Sequence, residues 1–132
     1  MDDKFIEVKY DGNVLPVAGS LNLFSEKTTS FTPRSDGLGE IEVTGEDINH
    51  GGHCLRGGLV LFCEATDVNS PWHNFKTDMV NWRAADGSAL CSDAVGWVGH
   101  KIAFVVDMFN SGAQKIWTNN KIVTLIGGPI GN

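Results

Sequence analysis

Hydrophobic and polar residues alternate along several short segments of the chain, which is the period expected of β-strands with one buried face. The segment KFIEVKY (4–10) places Ile6, Val8 and Tyr10 on one side, with charged residues between them. The turn residues DGN follow directly, and their glycine can supply the positive φ that a tight hairpin needs. The segment GEIEV (39–43) shows the same alternation. Both segments therefore predict half-buried strands.

Three longer apolar segments predict further strands. The segment GLVLFCEA (58–65) is continuously apolar at its centre, which favours a short strand covered on both faces. Apolar residues fall at alternate positions of HKIAFVVDMF (100–109), and this segment has the clearest strand pattern in the chain. In KIWTNNKIVTLI (115–126), Asn119 and Asn120 tolerate the left-handed backbone of a tight turn, so the segment predicts a hairpin.

The whole pattern predicts an all-β fold. About eight to ten short strands are separated by turn signals every ~8–12 residues, as in β-sandwiches and β-barrels. The 132 residues carry no internal repeat and no domain linker. We therefore expect one domain over residues 1–132, folded as an antiparallel β-sandwich of the jelly-roll type or as a closed barrel.

The charge balance excludes one large class of partner. The chain has a net charge of −6 and a pI near 5.0, and its basic residues are dispersed. A protein that holds nucleic acid through phosphate contacts needs a basic surface, so we expect no nucleic-acid partner. The 16 glycines are scattered, which suits many tight turns rather than a periodic fibre or a flexible linker.

The sequence also bears on membranes and export. No segment reaches the ~18 apolar residues of a membrane-spanning helix, so we expect no transmembrane segment. The opening residues MDDKFIEVKYDG contain no apolar core of a secretory signal. We therefore expect a cytoplasmic protein, or one exported without a cleaved signal peptide.

The stretch DINHGGHCLRGG (47–58) brings His50, His53 and Cys54 together, which makes a metal or catalytic site one interpretation. Zinc needs three or four such ligands around one ion, but adjacent residues of an extended chain point to opposite faces. These three residues are therefore weak metal candidates. A glycine-rich turn leading into the strand at 58–65 is the better-supported interpretation.

The chain has three cysteines, an odd number that cannot all pair internally. An extended strand would hold Cys54 and Cys63 ~30 Å apart, far beyond the reach of a disulfide. We expect all three to be free thiols, with Cys63 acting as a small buried hydrophobic residue. A cysteine nucleophile with a histidine base stays an alternative, although no predicted helix N-terminus lowers a thiol pKa.

The predicted loops are rich in aromatic, carboxylate and amide side chains. An aromatic ring can stack on the apolar face of a sugar, and carboxylates and amides form paired hydrogen bonds with vicinal hydroxyls. Trp72 follows a proline within a predicted loop, where an exposed ring and a buried ring are equally supported. The other tryptophans are expected more often in the core. The candidate ligand-binding residues are Asp67, Asn69, Trp72, His73, Asn74, Asp107, Asn110, Trp117 and Asn119.

Calcium is the one cofactor that the sequence leaves open. Asp67, Asn69 and Asp78 offer hard oxygen ligands, but no EF-hand spacing joins them. Aspartate and asparagine in loops more often cap turns, so these three are weak metal candidates and no other cofactor is expected.

These features favour a non-enzymatic, lectin-like module that binds carbohydrate or a glycoconjugate. Such modules gain avidity by assembling, so we also expect a homo-oligomer. One alternative is a structural or assembly protein, such as a viral or phage surface component. Two further alternatives are a membrane-active, pore-forming β-sandwich that uses Trp72 and Phe75, and a small cysteine hydrolase.

Overall fold

A computed structural model describes residues 4–19, 27–47, 58–92 and 103–128. Within these ranges the chain forms seven strands and one helix. In chain order they are β1 (Lys4–Tyr10), β2 (Asn13–Val14), β3 (Ala18–Gly19), β4 (Lys27–Thr28), β5 (Ile41–Glu46), β6 (Trp82–Ala84), α1 (Ala103–Asn110) and β7 (Ile122–Gly127). Outside these ranges lie His50, His53, Cys54 and Trp97.

Most of the strands belong to one open antiparallel sheet. Five strands follow the order β2–β1–β5–β7–β6, and β3 pairs with β4 in a separate two-stranded sheet. The prediction of an all-β protein is therefore confirmed. The five-stranded sheet is not closed into a barrel, because β2 and β6 lie at its two edges rather than against each other.

The hairpin of β1 and β2 forms for local reasons. Asp11 and Gly12 have φ of 51° and 86°, so both occupy the left-handed region that a two-residue hairpin turn needs. The N–H of Leu15 still donates to Val8 O at 2.9 Å, but Pro16 has no N–H to continue the ladder. The pairing therefore ends at this proline.

One face of the five-stranded sheet is buried. Ile41 and Val43 of β5 are each 3% exposed, and their neighbours along the strand are only half-buried. Val43 lies opposite Leu125 of β7, which is fully buried. The alternation at 39–43 thus predicted the correct strand and the correct inward residues.

Ile6 departs from this pattern. The register of β1 against β5 shifts between Phe5 and Glu7, so Ile6 is the extra residue of a β-bulge. Its side chain is 43% exposed, whereas Val8 and Tyr10 are each 6% exposed on the buried face. The inward positions predicted for β1 are therefore correct at Val8 and Tyr10 and wrong at Ile6.

Irregular segments cover the buried face within the described ranges. Leu59 and Ile116 exchange two backbone hydrogen bonds of 2.9 and 3.0 Å, and Cys91 pairs in the same way with Trp117. The strand predicted at 58–65 is thus reduced to isolated bridges. The buried core consists of Val8, Tyr10, Ile41, Val43, Leu59, Trp72, Trp82, Ala84, Ile116, Trp117, Val123 and Leu125.

The hairpin predicted at 115–126 does not form. Its first half pairs with Leu59 and Cys91, whereas its second half is β7, which pairs with β5 and β6. The turn between the halves is held elsewhere, since the side-chain amide of Asn120 donates to Asp86 Oδ2 at 3.1 Å. The pair of asparagines therefore predicted the position of the turn correctly. It did not predict which segments pair with the chain on either side of the turn.

The strand predicted at 100–109 is instead helix α1 over residues 103–109, and residues 100–102 lie outside the described ranges. A run of apolar residues fits a buried strand and a buried helix alike, so the signal at the end of the run decides. Gly112 has φ of 94° and donates to Phe109 O at 3.0 Å, while Ala113 donates to Met108 O at 3.0 Å. This Schellman arrangement ends a helix, so the residues NSG cap α1 rather than turn a strand.

Gly127 lets the Trp82 ring lie flat on β7. A Cβ at Gly127 would lie 2.2 Å from Trp82 Cδ2, so Gly127→Ala forces the buried indole or the strand to move. We expect this variant to lose about 3 kcal/mol of unfolding free energy, at the upper end of overpacking costs. Gly87→Ala is the control, because its Cβ meets nothing within 4 Å and costs only the strain at φ 81°, about 1 kcal/mol. Urea unfolding compares the two, and equal losses would contradict the predicted clash.

Candidate functional site

Trp72 is a core residue rather than an exposed platform for a sugar. Only 2% of its surface is exposed. Its ring packs edge-to-face against Tyr10, Phe31 and Phe75, with ring centroids 5.7, 5.3 and 5.0 Å away. Trp117 is fully buried as well. Neither indole face is open to a ligand, which corrects the expectation that these rings stack on a sugar.

Loop 66–74 is folded tightly around the buried ring. The carboxylate of Asp67 accepts the N–H of Asn69 at 2.9 Å, and its carbonyl accepts the N–H of Ser70 at 3.0 Å. The N–H of His73 then donates to Ser70 O at 3.0 Å. These are turn bonds in which polar side chains and carbonyls satisfy nearby N–H groups. The loop therefore has a defined shape without regular secondary structure.

A short antiparallel ladder closes the base of the loop. The N–H of Cys63 donates to Phe75 O at 2.7 Å, and its carbonyl accepts the N–H of Asn74 at 3.1 Å. The backbone then turns at Asn74, which has φ of 64°. The next bond comes from a side chain, since the N–H of Ala65 donates to His73 Nδ1 at 3.3 Å. These residues form the neck of the loop.

The loop presents polar groups to solvent. Asp67, Asn69 and Asn74 are exposed, and His73 is half-buried. Within the described part of the chain, the side-chain amides of Asn69 and Asn74 make no hydrogen bond to protein. Val68 lies among them and is 68% exposed. The loop thus offers amides, a carboxylate and one apolar side chain on a fixed backbone.

The other predicted residues belong to separate elements. Asp107 and Asn110 are exposed on α1. Asn119 is exposed in the turn that precedes β7. The predicted set therefore has one local concentration, loop 66–74, and its remaining members belong to other elements, with Trp117 in the core.

A polar cluster that the sequence did not predict joins two turns next to Asn119. The side-chain amide of Asn120 donates to Asp86 Oδ2 at 3.1 Å and to Ser88 Oγ at 3.0 Å. The backbone N–H of Ser88 donates to Asp86 Oδ1 at 2.9 Å, and this hydrogen bond is the main cause that lowers the pKa of Asp86. The turn residues are visible in the sequence, but their pairing spans 32 and 34 positions and leaves no local signal.

Two of the weak calcium candidates, Asp67 and Asp78, already use a carboxylate oxygen to accept backbone hydrogen bonds in turns. Asp78 Oδ1 accepts the N–H groups of Val80 and Asn81 at 2.9 and 2.6 Å. Asp67 Oδ1 likewise accepts the N–H of Asn69. No three His, Cys, Asp or Glu side chains come together as metal ligands anywhere in the described ranges. The histidine–cysteine stretch lies outside those ranges.

Two cysteines fall within the described residues, and their states differ. Cys91 is disulfide-bonded, which corrects the prediction of three free thiols. Cys63 is free and packs against the core, and burial raises the pKa of its thiol to about 12. The thiolate is the reactive form of cysteine, and neither residue supplies one near neutral pH. These two residues therefore give no support to a cysteine nucleophile.

Comparison with known proteins assigns no family to the chain. No protein-family model matches it, and no curated protein or solved structure is similar to it. None of the helical structure in the described ranges is long and apolar enough to cross a membrane.

Alkylation by iodoacetamide distinguishes the two described cysteines. We expect Cys63 to stay unmodified in the native protein at about pH 8, because its buried thiol is protonated, and to react once guanidinium chloride unfolds the chain. Cys91 should resist alkylation even then, until a reductant is added. Peptide mass spectrometry gives the readout. Rapid native labelling of Cys63 would contradict its burial, and labelling of Cys91 without reductant would contradict the disulfide.

Proposed function

We propose that this protein is a non-enzymatic, lectin-like module that binds carbohydrate through loop 66–74. One contrast within the loop carries the proposal: Trp72 is 2% exposed, whereas Asp67, Asn69 and Asn74 are exposed on either side of it. A buried anchor beneath exposed polar groups suits a binding loop, because such loops are positioned by a rigid scaffold.

The exposed groups suit a neutral ligand that is rich in hydroxyls. The amides of Asn69 and Asn74 each offer donors and an acceptor, and the carboxylate of Asp67 offers acceptors. Val68, which is 68% exposed, can contact the apolar face of a sugar in place of the buried tryptophan. Because turn bonds already order the loop, binding loses little conformational entropy.

The proposal includes a homo-oligomer and a two-layer architecture. One loop gives weak binding, and an oligomer that presents several loops at once raises the apparent affinity. In a jelly-roll sandwich, the segments that cover the buried face of the sheet would serve as the second layer. No metal has a role in this proposal.

A glycan-array screen, run with calcium and again with a chelator, tests the proposal. We expect specific binding that survives chelation, because Asp67 and Asp78 already accept backbone N–H groups. Asn69→Ala and Asn74→Gly should each weaken binding about 5- to 10-fold, the effect of losing one hydrogen bond. Glycine is chosen at position 74 because it accommodates the φ of 64°.

Asn13→Ala is the matched control for these variants, since Asn13 is an exposed amide on β2, outside the candidate ligand-binding residues, and its loss should leave binding unchanged. If the array shows no binding, or if the control variant weakens binding as much as the loop variants do, loop 66–74 is not the carbohydrate-binding site. Loss of binding on chelation would instead return Asp67, Asn69 and Asp78 to consideration as calcium ligands.

A structural or assembly role is the second candidate, because exposed apolar side chains lie at both edges of the sheet. Val14 of β2 is 62% exposed, and Val80, just before β6, is 88% exposed. Edge strands are a common route by which sheets join between chains. Elution far above 14.3 kDa without a response to any glycan would favour this role. The membrane-active alternative loses one of its two anchors, since Trp72 is buried.

A further inference from the structure

His73 supplies the last hydrogen bond of the neck. Its half-buried imidazole accepts the N–H of Ala65 through Nδ1 at 3.3 Å. The two other bonds of the neck join backbone atoms of Cys63 to Asn74 and Phe75. At Asn74 the backbone turns with φ of 64°, and the His73 side chain takes the place of a backbone carbonyl. The third hydrogen bond that closes the loop therefore depends on a titratable side chain.

The bond between Ala65 and His73 requires a neutral imidazole. An N–H donor needs a lone pair on Nδ1, so the imidazole proton resides on Nε2. In the imidazolium both ring nitrogens carry a proton, and the N–H of Ala65 would face a second donor. An added proton and the Ala65 N–H therefore compete for the same lone pair.

The described residues give the His73 imidazole no ion pair that would offset the loss of this bond. The titratable groups on the two segments that meet here are Cys63, Glu64, Asp67 and Lys76, and the Lys76 ammonium donates to Ser111 O at 2.9 Å. Burial keeps the Cys63 thiol neutral by raising its pKa to about 12, while Glu64 and Asp67 are exposed. Among the described residues, no carboxylate lies within ion-pairing distance of the His73 imidazole.

We infer that His73 is a pH-sensitive latch on loop 66–74: the neutral imidazole closes the neck, and protonation releases Ala65. The consequence for ligands rests on the proposed function, since a loop without its fixed shape loses affinity for carbohydrate. The relevant window is about pH 7.5 to 5.5. Imidazole is the side chain that ordinarily changes charge in this range.

Amide hydrogen exchange followed by NMR tests the latch without any ligand. Protection of the Ala65 N–H, corrected for the intrinsic exchange rate, should fall about 5- to 10-fold in the wild type between pH 7.5 and 5.5. His73→Asn is the matched variant, because its side-chain oxygen keeps an acceptor near Nδ1 and does not titrate. Protection should then be the same at both pH values. His73→Leu has no acceptor, so protection should be low at both.

Unchanged protection of Ala65 in the wild type, or the same fall in His73→Asn, would overturn the inference. The wild type also gives a check that needs no variant. The Ala65 amide shift should move with the same midpoint as the His73 imidazole proton, and a different midpoint would overturn the latch. These readouts stand even if the array finds no glycan. If a glycan binds, its affinity should fall in acid for the wild type alone, and a fall in both proteins would count against the latch.

Discussion

Trp72 is enclosed by three aromatic rings that come from three separate parts of the chain. Tyr10 lies at the end of β1, Phe31 in the segment before β5, and Phe75 just beyond loop 66–74. Such pairs contribute ~0.5–1.5 kcal/mol each beyond apolar burial. A Cβ at Gly128 would lie 2.9 Å from Trp72 Cη2, so the residue after β7 also has to be small. Segments with few regular backbone bonds are thereby held to the end of the sheet.

The same cluster orders a second loop through Tyr10. Its hydroxyl donates to Leu38 O and accepts the N–H of Arg34 at 2.8 Å. Gly39 has φ of 113°, and a Cβ there would meet the Tyr10 hydroxyl at 2.7 Å. This loop and the loop of Trp72 thus both depend on a buried ring at their inner ends. Contacts within the folded chain thus set the shapes of both loops, and the binding proposed for loop 66–74 would need little further ordering.

The alternation of apolar and polar residues predicted β1 and β5 correctly. The sheet buries only one face, so every second residue of these strands is buried. It failed at 100–109, where the same apolar run suits a helix and the decisive signal was the capping role of Gly112. The burial of Trp72 had no local signal, because Tyr10 and Phe31 are distant in sequence. Loop polarity predicted which residues are exposed, but not the hydrogen bonds that close the neck.

The aspartates show that folding already uses much of the chemistry that the sequence offers to a ligand. Four of them accept the N–H of the residue two positions later, at 2.9 or 3.0 Å: Asp36, Asp67, Asp78 and Asp86. Each forms the turn that aspartate favours between short strands. A composition that suggests calcium or charged recognition therefore reflects the making of turns. The side-chain amides of Asn69 and Asn74 on loop 66–74 take no part in these turn bonds, so the binding proposed there would rest on amide hydrogen bonds more than on charge.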